Sequence, residues 1–128
     1  MNECKPSKDF KTMSVVADFN ELRTIEDYKK AIFDKVSHLD IGLVCLNAGY
    51  ADMGPFHVID NVEVEKQMQV NAVHVLYTLK VLIGKLVDRY DLKKLKSGVV
   101  ITSSIGGLLK FCGISTYSAV KAFDNHLA

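Results

Sequence analysis

The sequence is poor in the features that mark a disulfide scaffold, a metal centre or a nucleic-acid binder. Its three cysteines, Cys4, Cys45 and Cys112, stand far apart with no paired spacing. An odd count without a framework points to reduced thiols in a cytosol-facing compartment. Cys45, inside an apolar run, reads as a small buried hydrophobe. The four histidines, His38, His57, His74 and His126, lack the spacing of zinc ligands, so no metal site is expected. Sixteen basic side chains against fifteen acidic ones leave a net charge of +1, which offers no electrostatic footprint for nucleic acid. The first eleven residues are polar and lysine-rich, unlike a secretory signal. The longest apolar stretch, Ala72 to Ile83, is broken by His74 and Lys80. It falls short of the ~20 residues that span a bilayer, so no transmembrane segment is expected. No internal repeat or low-complexity tract occurs, and the eight glycines form no phosphate-binding cluster.

What is present is one domain's worth of chain, 128 residues with 48% apolar side chains. Thr12 to Phe19 is a short β-branched run that predicts a strand ending at Asp18. Thr24, with Asp27 three positions on, has the pattern of a helix N-terminus. Ile25, Tyr28, Ile32, Phe33 and Val36 then form a helical stripe reaching to His38. Ile41 to Leu46 is a continuous apolar run, the mark of a parallel strand covered on both faces. A loop from Tyr50 to Asp60 follows. Asp60 and Glu63 then start a helix expected to reach Tyr90, apolar almost all round from Val70 to Val87. Val99 to Thr102 is a further buried strand, and Ser115 opens the last helix. The alternation β-α-β-α-β-α predicts an open parallel α/β sheet.

The most telling residues bracket the last third. Val99-Val100-Ile101-Thr102-Ser103-Ser104-Ile105-Gly106-Gly107 is a strand that stops at two serines, and Tyr117-Ser118-Ala119-Val120-Lys121 opens a helix. Tyr117 and Lys121, at i and i+4, share one helix face. Tyr90 and Lys94 repeat that spacing, but no serine-ended strand lies 13 residues before them, as Ser104 does before Tyr117. Tyr90 and Lys94 read instead as part of a solvated helix end. A hydroxyl, a phenol and an ammonium around one carbonyl-sized gap suit a ketone or alcohol oxidoreductase. A cation close to a phenol stabilises the phenolate and lowers a pKa otherwise near ~10 by about 1–3 units. Ser104, at the carboxyl edge of a strand, can donate to an oxygen as charge develops on it.

In order and spacing these motifs resemble the short-chain dehydrogenase/reductase family. Ala17-Asp18-Phe19 resembles its strand-end aspartate, and Asn47-Ala48-Gly49 its Asn-Asn-Ala-Gly motif, with Leu46 in place of the first asparagine. Asn71, in Gln69-Val70-Asn71-Ala72, falls at its helix-borne asparagine, and Ser104, Tyr117 and Lys121 complete its catalytic tetrad. Asp40-Ile41-Gly42-Leu43-Val44 and Tyr117 to Phe123 are most similar to the branch of 17β-hydroxysteroid dehydrogenases and very-long-chain 3-oxoacyl-CoA reductases.

The resemblance implies an incomplete doubly wound, Rossmann-like parallel sheet: residues 1–128 as a single partial NAD(P)-binding domain lacking the first strands, the glycine-rich turn and the C-terminal strands. It implies that Asn71, Ser104, Tyr117 and Lys121 are catalytic, with Ser104 and Tyr117 also meeting the substrate. Asp18, Asn47, Ala48, Gly49, Tyr117 and Lys121 would bind the cofactor, Asp18 at the adenine and Lys121 at the nicotinamide ribose. Asn71 would perturb its helix and hold a water linked to Lys121. Other roles remain open for these residues: a turn cap for Asp18, a tight turn for Asn47-Ala48-Gly49, a structural amide for Asn71. The cofactor would be NADP or NAD, with NADPH favoured by the branch, and the substrate a ketone or alcohol, 3-oxoacyl-CoA or steroid. Homo-oligomers would form through the helices at 61–90 and 117–128. The branch adds the cytosolic face of the endoplasmic reticulum as an alternative to the cytoplasm. A non-catalytic homologue that partners an intact relative is the second reading.

Overall fold

The computed structural model describes residues 10–128, and most of the irregular start expected at residues 1–11, with Cys4, lies outside them. Thr24 caps the first helix as its sequence predicts. The Asp27 amide donates to the Thr24 hydroxyl at 3.2 Å, and the Thr24 amide returns a bond to the Asp27 carboxylate at 2.8 Å. The Thr24 hydroxyl, with the Thr24 and Arg23 amides, lowers the Asp27 pKa. The helix then runs as an α-turn Ile25–Tyr28, a π-segment Lys29–Phe33 and a last turn Asp34–Val36. Tyr28 is fully buried. Its ring stacks on Phe19 and meets Tyr77 edge-on, with centroids 5.5 Å apart in the second contact.

Residues 10–19 join no ladder, which corrects the strand expected at Thr12 to Phe19. β-Branched residues favour an extended backbone, but a strand persists only when paired. Val15, Ala17 and Phe19 instead border a cavity of about 340 Å³ whose other wall includes Val44, Leu46 and His74.

Among the described residues two strands form the sheet, β1 (Leu43–Leu46) and β2 (Gly98–Ile101), parallel with Leu43 opposite Gly98 and Leu46 opposite Ile101. The Gly98 amide donates to Gly42 O and the Thr102 amide to Leu46 O, both at 2.9 Å. The even-numbered residues of β1 therefore turn their backbone groups toward β2, and Leu43 and Cys45 turn theirs to the open edge. Side chains alternate too. Val44 and Leu46 are 8% and 4% exposed and form a core with Val75, Leu82 and Leu86 of the long helix. Burying each such side chain is worth about 1.5–3 kcal/mol.

Leu43 is 59% exposed, Val100 is 50% exposed, and Cys45 is exposed as well. Among the described residues the helices pack on one face of the sheet and leave the other bare. This corrects the expectation that the strand at 41–46 is covered on both faces, and with it the reading of Cys45 as buried. The result is an α/β unit with a small parallel sheet, an incomplete Rossmann-like layer.

Asp60 caps the long helix by accepting from the Val62 amide at 2.9 Å. The helix continues over Asn61–Lys93, interrupted by a π-segment at Gln69–Val73, and ends at Lys94 in the left-handed conformation. By length and composition alone the whole helix is long and apolar enough to cross a membrane, as the shorter run Ala72 to Ile83 is not. Here one face of it packs on the sheet, and Asn71, His74 and Thr78 are buried within the fold. The final helix, Ser115–Leu127, crosses the long helix near its π-segment.

Candidate active site

Both strands point their carboxyl ends at one cavity of about 230 Å³, bordered by Asn47, Gly49, Tyr50, Thr102, Tyr117 and Lys121, with Ser103 beside them. That is where an open parallel sheet splays its loops apart and binds ligands.

Asn71 is fully buried, and its side-chain amide is hydrogen-bonded through both oxygen and nitrogen. Oδ1 accepts from the Tyr50 amide at 2.9 Å, while Nδ2 donates to Tyr50 O at 2.7 Å and to Gln67 O at 2.9 Å. A π-turn widens the helix by one residue and leaves a main-chain carbonyl without its usual partner. The Asn71 amide binds Gln67 O one turn back and grips the loop after Asn47-Ala48-Gly49. The helix perturbation expected at Asn71 is present as the segment Gln69–Val73. A Cβ on Gly49 would stand 3.1 Å from Asn71 Oδ1, so the small residue there permits the grip.

Tyr50 is fixed at its other end as well. Its hydroxyl donates to Glu63, which pushes the phenol pKa up to about 12. The Lys66 ammonium lies 3.9 Å from its ring centroid.

Lys121 is 3% exposed on the final helix. Its ammonium donates to Thr102 O at 2.7 Å and to the Asp124 carboxylate at 2.9 Å. The Ser103 hydroxyl donates to Lys121 O at 2.8 Å, and the Thr102 hydroxyl reaches Asn47 Oδ1 at 2.8 Å across the strand ends. Ser104 Oγ accepts from the Gly106 amide at 3.1 Å, capping the turn Ile105–Gly107. Its own proton remains free to donate. A Cβ on Gly106 would stand 3.5 Å from both Ser104 Oγ and Tyr117 Cδ1, so serine and phenol flank the same glycine. Ser104 thus caps the turn, while Ser103 anchors the final helix.

Asn47, Gly49, Tyr117 and Lys121 therefore meet at one cavity, with Asn71 bonded to its wall and Ser104 beside Tyr117. Ala48 borders the neighbouring cavity next to Phe19. Asp18 stands apart. It is exposed and accepts from the Asn20 amide at 2.9 Å, so its carboxylate caps a turn.

Sequence reasoning missed Asp124, Tyr50 and His74. An acid three residues after Lys121 on the same helix was the available signal for Asp124. His74, 2% exposed, reaches Val70 O through Nδ1 at 2.6 Å and lies 4.2 Å from the Phe19 ring. Burial lowers its pKa below 6.5, against the opposing pull of Val70 O and Asp124, while the Lys121 charge lowers it further.

Relatives carry the same architecture. The chain is 34% identical over 116 residues to a very-long-chain 3-oxoacyl-CoA reductase of Coccidioides immitis (strain RS), covering 90% of this chain and 32% of that protein. An NADH-dependent reductase, A1-R', responsible for alginate metabolism superposes with a TM-score of 0.73 at 23% identity, over 87% of this chain and 45% of that one. The bulky-bulky ketone specific alcohol dehydrogenase from Comamonas testosteroni superposes at 0.68 and 21% identity, over 87% and 41%. The chain thus spans about a third of the curated relative and less than half of these solved structures. A model of the short chain dehydrogenase family matches residues 1–128. On that match, and on a fold shared with these structures, the chain belongs to the short-chain dehydrogenase family.

Proposed function

We propose that these residues form the catalytic centre of an NAD(P)-dependent oxidoreductase that reduces a bulky apolar ketone, a 3-oxoacyl-CoA or a steroid. The observation that carries this reading is the meeting of Tyr117, Lys121 and Asn47 at one cavity beyond the strand ends, with Ser104 beside the phenol.

A nicotinamide cofactor fits the donor set here. Ala48 and Gly49 offer backbone with little side chain beside Asn47, and Lys121 keeps one N–H not engaged by Thr102 or Asp124. When bound, it supplies the hydride that no side chain can. Tyr117 gives its proton to the ketone oxygen, Ser104 donates to the same oxygen, and the Lys121 charge favours the phenolate that results. Asn71 keeps the wall of the cavity in place through Tyr50. Two loops tied by the Gly54 amide on Gly113 O, with Gly113 at φ +80°, expose Met53, Phe56, Leu108, Leu109 and Phe111 at this end of the sheet. That apolar lip supports a long or polycyclic substrate. The groove of Met68, Ala72, Val73, Leu76, Ala119 and Phe123 supports pairing of two copies through the long and final helices.

A chimera in which the 128 residues replace the matched span of the Coccidioides immitis reductase tests the substrate class. It should oxidise NADPH or NADH with long-chain 3-oxoacyl-CoA at a kcat/KM at least tenfold above the short-chain analogue. A preference for small polar sugars contradicts the proposal.

A further inference from the structure

Lys121 is held by a group that the tetrad does not include. Asp124 is completely buried one turn along the final helix, and its Oδ2 lies 2.9 Å from the Lys121 ammonium. Its Oδ1 is buried without a partner. A carboxylate placed so deep is costly unless a cation meets it. A lysine ammonium has three donors. Thr102 O takes one at 2.7 Å and Asp124 takes another. The backbone of Lys121 is fixed as well, by the Ser103 hydroxyl at 2.8 Å and by the contact with Gly107.

We propose that Asp124 is a positioning residue for Lys121: with Thr102 O, it pins the ammonium at the end of β2 and leaves a single N–H for the cavity beside Tyr117. This rests on Lys121 being the cation of the reductase centre, but the geometry it asserts does not require turnover. Breaking such a pair strands a charge in the interior, so the loss of Asp124 frees the ammonium to move.

Acylation of the 128-residue chain with the N-hydroxysuccinimide ester of acetic acid, followed lysine by lysine by mass spectrometry, reads this directly. Lys110 is exposed and serves as the internal reference. In the unsubstituted chain Lys121 should react at least tenfold more slowly than Lys110. Asp124→Asn should raise the Lys121 rate about tenfold at pH 7 while the Val120 amide keeps its hydrogen-exchange protection. Equal rates for Lys121 and Lys110 in the unsubstituted chain would overturn the proposal, as would an unchanged Lys121 rate in Asp124→Asn. If Asp124→Asn loses the Val120 protection, Asp124→Glu decides. A slow Lys121 there supports the pin, and a fast one overturns it. The substrate assay on the chimera stands or falls separately.

Discussion

Three buried polar side chains, Asn71, Lys121 and His74, define the chemistry of the interior at the level of single residues. Asn71 is hydrogen-bonded through both oxygen and nitrogen of its amide, and Lys121 is paired. His74 is the one whose protonation burial disfavours. Burial lowers its pKa, so the folded chain binds fewer protons than the unfolded chain just below pH 6.5. Stability therefore rises with pH through that window and falls on acidification from pH 7 toward 5. Chemical denaturation at several pH values should show this slope, and His74→Gln should flatten it. A slope unchanged by that substitution would remove His74 as its cause. The bond of Asp27 to Thr24 acts in a separate window, since its lowered pKa starts from 3.8.

Several of these residues were legible in the sequence, because Tyr117, Lys121 and Ser104 carry fixed spacing and follow a strand. Asp124 was not. A charge three residues away on a helix ordinarily reads as a solvated surface pair, and only the packing of the final helix against the strand ends buries it.

Among the elements, the long helix and the turn after β2 do most to place the site. The π-segment Gln69–Val73 lets the Asn71 amide reach Gln67 O and Tyr50 together. Helix existence and caps were readable from Thr24, Asp27 and Asp60, since caps are local chemistry. The π-segments were not, because apolar spacing barely changes across one wide turn. Nor was the fate of Thr12 to Phe19, whose pairing depends on neighbours distant in sequence.

The turn Ile105–Gly107 fixes the final helix by close approach. A Cβ on Gly107 would lie 2.6 Å from both Lys121 C and O. Backbone cannot yield as a flexible side chain would, so Gly107→Ala should destabilise the fold by about 1–3 kcal/mol and break the bond from Ser103 to Lys121 O. A lowered urea midpoint and faster acylation of Lys121 would register the change. An unchanged midpoint would mean that the helix is free to slide.

At the scale of the whole molecule, the chain is one covered face of a parallel sheet. Its helices lie against Val44, Leu46, Val99 and Ile101, while Leu43, Cys45 and Val100 stand open on the other side. An exposed apolar face and an unpaired strand edge make a template for association. Solved structures of which the chain covers 45% and 41% superpose on it with TM-scores of 0.73 and 0.68. The β-α-β-α order was legible from hydrophobic runs and loop residues. The bare face was not, because an apolar strand looks the same whichever face is covered.

The reductase reading converges on one proton. In the chimera with the Coccidioides immitis reductase, Tyr117→Phe removes only the phenolic hydroxyl. It should lower the rate of ketone reduction by about 10²–10⁴-fold, the usual worth of a general acid. Retention of more than about a tenth of the unsubstituted rate would contradict a proton-donor role for Tyr117, and with it the assignment of this cavity as a reductase centre.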